Sequence, residues 1–314
     1  MLFSLFLLLL GVLFAWTGGS LFVDGSVALA RRARWPAAVV GATVAAFGTS
    51  APELMVAIDA SHRGMPQISL GDVLGSNVVN ISLILAIAIT VAGLQSNDKG
   101  ATRDWMWAGM VPVLLAAVLA DGWFSRADAA VLLSAFFVWL GYVIRHARRH
   151  AAATRDDVMP EEPIGTTAVA ARILGGLAVL IIASHFVVTG GKGIAEVLGW
   201  SPFVVGAVVV AVATGTPELA TVIVSTLRGQ HDIGLGGILG SNVFNGLFIA
   251  SVAALIHPFA VQLPEITPSI LFGVTTTLII YPGRTGTIGK NRGILLLGLY
   301  VVYVIVSASH SGGH

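Results

Sequence analysis

The sequence predicts an all-α polytopic membrane protein with ten transmembrane helices, arranged as two inverted repeats of five. First, 56% of the 314 residues are hydrophobic and only 11% are charged, against about 25% charged in a typical soluble domain. Second, the apolar residues occur in runs of about twenty, the length of helix that crosses a bilayer. Third, two stretches of the chain are near copies of each other. A soluble single-core protein is therefore excluded.

The near copies are residues 39–80 and 204–245, which align without a gap at an offset of 165 and are identical at 22 of 42 positions. Both contain a Pro-Glu pair followed later by Gly-Ser-Asn. Both also keep one glutamate, Glu53 or Glu218, near the middle of an apolar segment. The duplication predicts that the two halves of the chain share one fold.

Hydropathy predicts the spans and divides the chain. The expected spans are about 2–29, 37–61, 67–93, 104–120 and 127–145 in the first half, and 168–191, 202–226, 233–256, 267–282 and 293–309 in the second. The offset of 165 carries the first five onto the last five. The domains are then a first repeat (1–145), a polar linker (146–165) and a second repeat (166–314). The first span has no basic residue before its apolar run and exceeds a signal-peptide core, so we expect it to be retained.

Five crossings per half place the two copies upside down relative to each other. Inverted repeats are typical of secondary transporters, whose substrate site lies near the bilayer midplane. Of the 17 lysines and arginines, 14 fall on one side if the N-terminus is outside. The positive-inside rule then predicts both termini outside, a cytoplasmic linker and a multi-pass protein of the bacterial inner membrane. We expect a monomer in the lipid bilayer, and no nucleic-acid partner because there is no basic face.

Glu53 and Glu218 are the residues that indicate chemistry. An ionised carboxylate at bilayer depth costs about 3 kcal/mol on insertion scales. Two of them at about 5 Å would repel by roughly 3 kcal/mol at an effective dielectric of 20. The structural alternative pairs each glutamate with a lysine or arginine, but the central parts of the spans contain none. We therefore expect a cation or protons to neutralise the pair.

The residues around the two glutamates predict oxygen ligands. Pro52 and Pro217 should break their helices, freeing a carbonyl one turn back beside several hydroxyls. A proline kink alone is usually only structural, but a Pro-Glu break repeated at an inverted position favours a site. Ser76 and Asn80, like their copies Ser241 and Asn245, lie four residues apart on one helical face. Hard cations such as Ca²⁺ take six to eight oxygens. The chain has no cysteine, so thiolate metal sites are excluded.

At these residues the sequence resembles the sodium/calcium exchanger family, prokaryotic type, of the calcium/cation antiporter superfamily. GTSAPEL at 48–54 and GSNVVN at 75–80 resemble the family's first α-repeat. TGTPEL at 214–219 and GSNVFN at 240–245 resemble the second. The resemblance implies ten helices, with spans two, three, seven and eight forming a core past which spans one and six slide to alternate access.

The resemblance also implies the ligands. Glu53 and Glu218, with the carbonyls of Thr49 and Thr214, would hold Ca²⁺. The Na⁺ ligands would be Ser50, Ser76, Ser241, the hydroxyls of Thr49 and Thr214, and the carbonyls of Ala46 and Ala211, with Asn80 and Asn245 between the two glutamates. No catalytic residue and no cofactor is implied, because Ca²⁺ and Na⁺ are the transported ions.

The sequence departs from the family pattern at several positions. Gly215 stands where the second repeat usually has the serine that matches Ser50, and Ala213 replaces a glycine. Asp72 and Gly237 replace residues that are usually asparagine, and Asn245 stands where many relatives have aspartate. One expected Na⁺ ligand is therefore missing, which leaves sodium coupling open. Protons are the alternative coupling ion, because a buried glutamate can carry one.

Four functions remain to be weighed. The leading hypothesis is a Na⁺/Ca²⁺ antiporter, and the second is a proton-coupled exchanger of Ca²⁺ or another cation with the same fold. An intramembrane hydrolase built on two acids lacks a nucleophile and a peptide-binding strand, so we do not expect an enzyme. A channel is disfavoured because so many ligands would hold an ion too long. Asp24 in span one has Thr189 as its copy, and it either bonds local hydroxyls, snorkels towards Arg31 or lines an entry path.

Overall fold

The computed structural model describes residues 1–32, 46–95, 99–154, 165–227, 231–281, 283 and 286–310. In the first half the elements are α1 (Leu2–Arg32), α2 (Ala46–Thr49), α3 (Ala51–His62), α4 (Pro66–Val79), a π-helical segment (Asn80–Leu85), α5 (Ala86–Ala92), β1 (Leu94–Gln95), α6 (Lys99–Val118), β2 (Trp123–Phe124) and α7 (Arg126–Thr154).

The second half repeats this order. Its elements are α8 (Thr166–Leu198), α9 (Pro202–Val205), a π-helical segment (Gly206–Val210), α10 (Ala211–Thr214), α11 (Thr216–Leu227), α12 (His231–Val243), a π-helical segment (Phe244–Ile249), α13 (Ala250–Ile256), β3 (Phe259–Ala260), α14 (Leu263–Ile279), β4 (Thr287–Ile288) and α15 (Lys290–Ser309).

The helices of the described residues fall where the ten spans are predicted. Six segments are long and apolar enough to cross a membrane, and α9 to α11, bent by 44°, make a seventh. Helix α14 is apolar but shorter, and α6 carries charges in its first turns. Predicted span two is described only from Ala46 onwards, so its first part, 37–45, lies outside the described residues.

The packing of α1 against α8 shows that the repeats are inverted. A Cβ atom built at Gly25 would lie 2.9 Å from the backbone nitrogen of Ile173, and one at Gly190 would lie 2.8 Å from the carbonyl oxygen of Ser4. The end of α1 therefore contacts the start of α8, and the start of α1 contacts the end of α8. The two helices are equivalent by the sequence repeat and run antiparallel, as the odd number of spans predicts.

The short strands give the same result and join the repeats. Strand β1 pairs antiparallel with β4, and β2 pairs antiparallel with β3. Strands β1 and β2 lie at opposite ends of α6, whose 20 residues measure about 30 Å. Because β3 pairs with β2, β3 lies at the opposite end from its own copy, β1. Both strands of each repeat thus pair with strands of the other repeat.

The pairing register corrects one detail of the sequence prediction. Leu94 pairs with Ile288, and Phe124 pairs with Phe259. The two-fold relation maps Leu94 onto Phe259 at an offset of 165, but it maps Phe124 onto Ile288 at an offset of 164. The constant offset is therefore wrong by one residue after β3, because the second repeat has one residue fewer between these strands.

Spans three and eight form the buried centre. In each of them 83% of the most apolar window is buried, against 28% for α1. Helix α4 approaches span seven through glycines: a Cβ built at Gly71 would lie 2.1 Å from the carbonyl oxygen of Phe203, and one at Gly75 would lie 2.3 Å from that of Ala207. The lack of a side chain at these two positions allows the two backbones to pack closely.

Candidate cation-binding site

Each Pro-Glu pair lies at a helix break, as predicted. Helix α2 ends at Thr49 and α3 begins at Ala51. Helix α10 ends at Thr214 and α11 begins at Thr216. Proline has no N–H to continue the hydrogen-bond ladder, but it fits the first turn of a new helix. The breaks place Glu53 and Glu218 in the first turns of α3 and α11, where the helix dipole favours an anion.

Both glutamates are buried with an unpaired oxygen. Glu53 is 1% exposed and Glu218 is 2% exposed. Within the described residues, Oε2 of each carboxylate has no hydrogen-bond partner. Ser50, three residues before Glu53, lies 3.4 Å from Glu218 Oε1, so the two helix breaks meet at the interface of the repeats. A buried, unpartnered carboxylate oxygen is costly unless a cation or proton satisfies it.

Glu218 is surrounded by hydroxyls, mainly from the first repeat. Ser50 Oγ lies 3.4 Å from Glu218 Oε1 and 3.0 Å from Ser241 Oγ. Ser241 Oγ is itself 3.4 Å from Glu218 Oε1, and Thr49 Oγ1 is 3.4 Å from Ser241 Oγ. Four of the predicted site residues therefore form one continuous polar cluster at the interface of the repeats.

Glu53 lies in the corresponding cluster, whose composition differs. The Thr214 side chain interacts with Glu53 and donates a hydrogen bond of 3.1 Å to Asp72 Oδ1. Ser76 Oγ donates to the same oxygen at 3.3 Å. Asp72, which is not among the predicted ligands, is fully buried. It lies close enough to Glu53 for the two carboxyl groups to interact.

The asparagines join spans three and eight. Nδ2 of Asn77 and of Asn242 each donates to the backbone carbonyl of the other at 3.1 Å. Asn80 Nδ2 donates to Asn242 Oδ1 at 2.9 Å. By contrast, both polar atoms of Asn245 are buried without a partner in the described residues. The sequence analysis did not select Asn77 and Asn242 for the site, although their identity in the two copies was the available signal.

The remaining predicted ligands make no recorded hydrogen bond to either glutamate among the described residues. The Ala211 carbonyl accepts a hydrogen bond of 3.2 Å from the Gly215 amide. Ala46 begins α2. Asn80 and Asn245 each begin or lie in a π-helical segment, and no direct contact of either with a glutamate is recorded. The structure thus brings together the predicted hydroxyls and carboxylates, and the ligand roles of all the predicted site residues stay predictions.

The surroundings of the site agree with oxygen ligation. In the described ranges, the recorded ion pairs join Arg63 to Asp59 and Arg103 to Asp104, away from the two glutamates. No group of three His, Cys, Asp or Glu side chains among the described residues could hold a metal ion alone. Hydroxyl and carbonyl oxygens would therefore have to complete the shell of any bound cation.

Comparison with known proteins identifies the family. The family described as "Sodium/calcium exchanger protein" matches residues 3–145 and 168–308, which include both repeats and both Pro-Glu breaks. The chain belongs to the sodium/calcium exchanger family. The resemblance seen in the paired motifs is thereby confirmed.

Several members of the exchanger family match over nearly the whole chain. The inner membrane protein YrbG of Escherichia coli is 30% identical over 97% of this chain and 96% of its own length. Sodium/calcium exchanger MaX1 of Methanosarcina acetivorans is 25% identical over 96% and 97%. A more distant relative, the Ca²⁺/H⁺ antiporter ChaA of Bacillus subtilis, is 24% identical over 83% of this chain and 80% of its own length.

A solved structure supports the architecture. The sodium/calcium exchanger from Methanococcus jannaschii superposes with a TM-score of 0.65 at 26% identity, covering 97% of this chain and 98% of that one. That exchanger has ten helices in two repeats. The present chain therefore has the predicted fold of this family, an all-α membrane protein of ten helices in two inverted repeats.

Proposed function

We propose that this protein exchanges Na⁺ for Ca²⁺ by alternating access at the midplane site between its two repeats. The observation that carries the proposal is that the helix breaks of Glu53 and Glu218 meet between the repeats, with each glutamate buried and one oxygen of each unpartnered among the described residues. The surrounding groups are hydroxyls and carbonyls, which suit hard cations. The family, and the relatives that are a sodium/calcium exchanger and a Ca²⁺/H⁺ antiporter, agree with cation antiport.

The charge of the pair explains why the exchange would be coupled. Two carboxylates balance one Ca²⁺ or two Na⁺. With neither bound, they repel each other by roughly 3 kcal/mol at about 5 Å and an effective dielectric of 20. The empty site is then the high-energy state, and a change of access without a cation is disfavoured. This penalty would enforce exchange rather than leak.

The proposed ligands are those that the family resemblance implies. Glu53 and Glu218, with the carbonyls of Thr49 and Thr214, would hold Ca²⁺. The Na⁺ ligands would be Ser50, Ser76, Ser241, the hydroxyls of Thr49 and Thr214, and the carbonyls of Ala46 and Ala211, while Asn80 and Asn245 would lie between the two glutamates. These ions are substrates rather than resident cofactors.

Helices α1 and α8 are the elements expected to move. They pack closely on each other through glycines, and they are much less buried than spans three and eight. Helix α1 also reaches the break in span two, because a Cβ built at Gly48 would lie 2.2 Å from Val23 Cγ2. Sliding of this pair along the buried centre would expose the site first to one side and then to the other.

Flux measurements test the proposal directly. Inverted membrane vesicles loaded with Na⁺ should accumulate ⁴⁵Ca²⁺ from outside, and vesicles loaded with K⁺ should not. A Na⁺ ionophore that dissipates the gradient should stop the uptake. Uptake that ignores Na⁺ and follows an imposed pH gradient would instead reject sodium coupling.

That second outcome would support a proton-coupled exchanger of Ca²⁺ or another cation with the same fold. The observation that favours it is Gly215, which lacks the hydroxyl that Ser50 supplies in the other cluster. The relative in Bacillus subtilis is a Ca²⁺/H⁺ antiporter. The same vesicles distinguish the two candidates when the Na⁺ and pH gradients are imposed separately.

Topology is a further part of the proposal. We place both termini outside and the linker in the cytoplasm, in a monomer of the bacterial inner membrane. The chain has no cysteine, so each introduced cysteine is unique. In spheroplasts, a membrane-impermeant maleimide should label Gln262→Cys, next to β3, and should label Asp156→Cys in the linker only after lysis. The reverse pattern would contradict the orientation.

A further inference from the structure

We propose that Asp72 is a Na⁺ ligand of this site and replaces the serine hydroxyl that the second repeat lacks at Gly215. The inference rests on the proposed exchange function and adds a third carboxylate to its site. It is drawn from a comparison of the two polar clusters, which should be equivalent by the internal two-fold relation but are not.

In the Glu218 cluster, a serine hydroxyl is the central group. Ser50 Oγ lies within 3.4 Å of both Glu218 Oε1 and Ser241 Oγ. The copy of Ser50 in the other cluster is Gly215, which has no side chain to make these contacts. The copies of Thr49 and Ser241 are Thr214 and Ser76, and both are present.

In the Glu53 cluster, a carboxylate takes the central role instead. Asp72 Oδ1 accepts hydrogen bonds from Thr214 and from Ser76. It therefore joins the copies of Thr49 and Ser241, whereas in the other cluster Ser50 joins Ser241 to Glu218. The copy of Asp72 is Gly237, which contributes no side chain to the Glu218 cluster. The Glu218 cluster thus contains the Ser50 hydroxyl, and the Glu53 cluster contains the Asp72 carboxylate, which comes from a position that is not equivalent to Ser50.

The glycine is not required by the backbone at position 215. Its φ and ψ are −71° and 5°, close to the −86° and 12° of Ser50, and any L-residue adopts this conformation. A Cβ built at Gly215 would meet Ile84 Cδ1 at 3.3 Å and the Ala211 carbonyl at 3.1 Å, so a small side chain needs only slight adjustment. The backbone would accept a serine at position 215. The polar group that the cluster contains instead comes from Asp72, at a different position in the sequence.

Asp72 also has an unused ligand atom. It is fully buried, and its Oδ2 has no hydrogen-bond partner among the described residues. Since Oδ1 already accepts two hydroxyls, Oδ2 is the oxygen available to a cation. With Glu53 beside it, this half of the site holds two carboxyl groups against one in the Glu218 half. A small hard monovalent ion such as Na⁺, ligated by these carboxylate and hydroxyl oxygens, would balance the additional carboxylate.

Neutralising Asp72 tests the inference. Asp72→Asn has the same size and keeps an oxygen that can accept the two hydroxyl bonds. In vesicles loaded with graded Na⁺, the Na⁺ concentration for half-maximal ⁴⁵Ca²⁺ uptake should rise about tenfold or more, because ligand charge sets affinity in hard-cation sites. The concentration of Na⁺ that stabilises the purified protein against thermal unfolding should rise in parallel. Asp59→Asn, which removes a carboxylate outside the site, should change neither value.

A second substitution makes the test specific. Adding Gly215→Ser to Asp72→Asn restores the hydroxyl of the symmetric cluster and should recover most of the lost Na⁺ affinity. If Asp72→Asn is poorly folded, Asp72→Ser provides the same comparison. An unchanged Na⁺ dependence in a folded Asp72 variant would overturn the inference, because a merely structural hydrogen-bond acceptor is retained in asparagine. Failure of the double substitution to recover affinity would equally contradict the exchange of one ligand for the other.

The test separates this inference from the proposed function. If the unmodified protein shows no Na⁺-dependent Ca²⁺ uptake, the proposed coupling fails before any variant is compared. If the unmodified protein exchanges Na⁺ for Ca²⁺ and the Asp72 variants behave identically to it, only the role of Asp72 is rejected.

Discussion

Glu53→Gln is expected to abolish Ca²⁺ exchange, and Glu218→Gln should do the same. Glutamine keeps the size of the side chain and one oxygen but removes the charge, leaving a dehydrated Ca²⁺ with one fewer counter-charge. Removing one partner of a buried charge pair costs on the order of 3 kcal/mol or more, which corresponds to roughly a hundredfold in Ca²⁺ affinity. The measurements are ⁴⁵Ca²⁺ flux and the stabilisation by Ca²⁺ of the purified protein against heating.

The same substitutions should stabilise the protein in the absence of cations. With one carboxylate removed, the repulsion between Glu53 and Glu218 disappears, so the melting temperature without Ca²⁺ or Na⁺ should rise while its response to Ca²⁺ is lost. Glu265→Gln is the matched control, because Glu265 is also in the first turn of a helix, α14, and should leave flux unchanged. Normal flux in both site variants would contradict the transport proposal and would favour the intramembrane hydrolase built on two acids.

Gly75→Ala should lower stability by about 3 kcal/mol, the upper range for overpacking a core. The new Cβ would lie 2.3 Å from the Ala207 carbonyl oxygen and 2.5 Å from its Cα. These are backbone atoms of the opposite repeat, so they cannot rotate away as a side chain would. Spans three and seven would have to separate. The melting temperature in detergent, without added cations, measures the effect.

Gly298→Ala provides the control for that experiment. Gly298 lies within α15, and no described atom is within 4 Å of a Cβ built there. Alanine is the better helix former by about 1 kcal/mol, so this variant should be unchanged or slightly more stable. Equal melting temperatures for the two variants would show that the α4–span seven contact is looser than its glycines indicate.

The sequence was sufficient for the parts of the site that depend on local chemistry. Proline cannot continue a helix in either copy, so the breaks before Glu53 and Glu218 could be predicted. Their convergence followed from comparing the chain with itself, because an odd number of spans makes equivalent residues face each other.

Other features depend on contacts that no local pattern encodes. The hydrogen bond between Thr214 and Asp72 joins residues 142 positions apart, and its significance appears only beside the missing hydroxyl at Gly215. Asn80 donates a hydrogen bond to Asn242, whereas its copy Asn245 has no hydrogen-bond partner among the described residues, although the two sequence motifs are nearly identical. The four strands have two residues each, which is too short for an alternating pattern to be recognised.

The exchanged strands have a consequence for biogenesis. The partner of β2 is β3 and the partner of β1 is β4, so neither can pair until residues beyond 258 have left the ribosome. Until then, the newly inserted N-terminal half lies in the lipid with both of its strands unpaired, one at each membrane face. The pairing of the two halves at both membrane faces is therefore a late step in the folding of this protein.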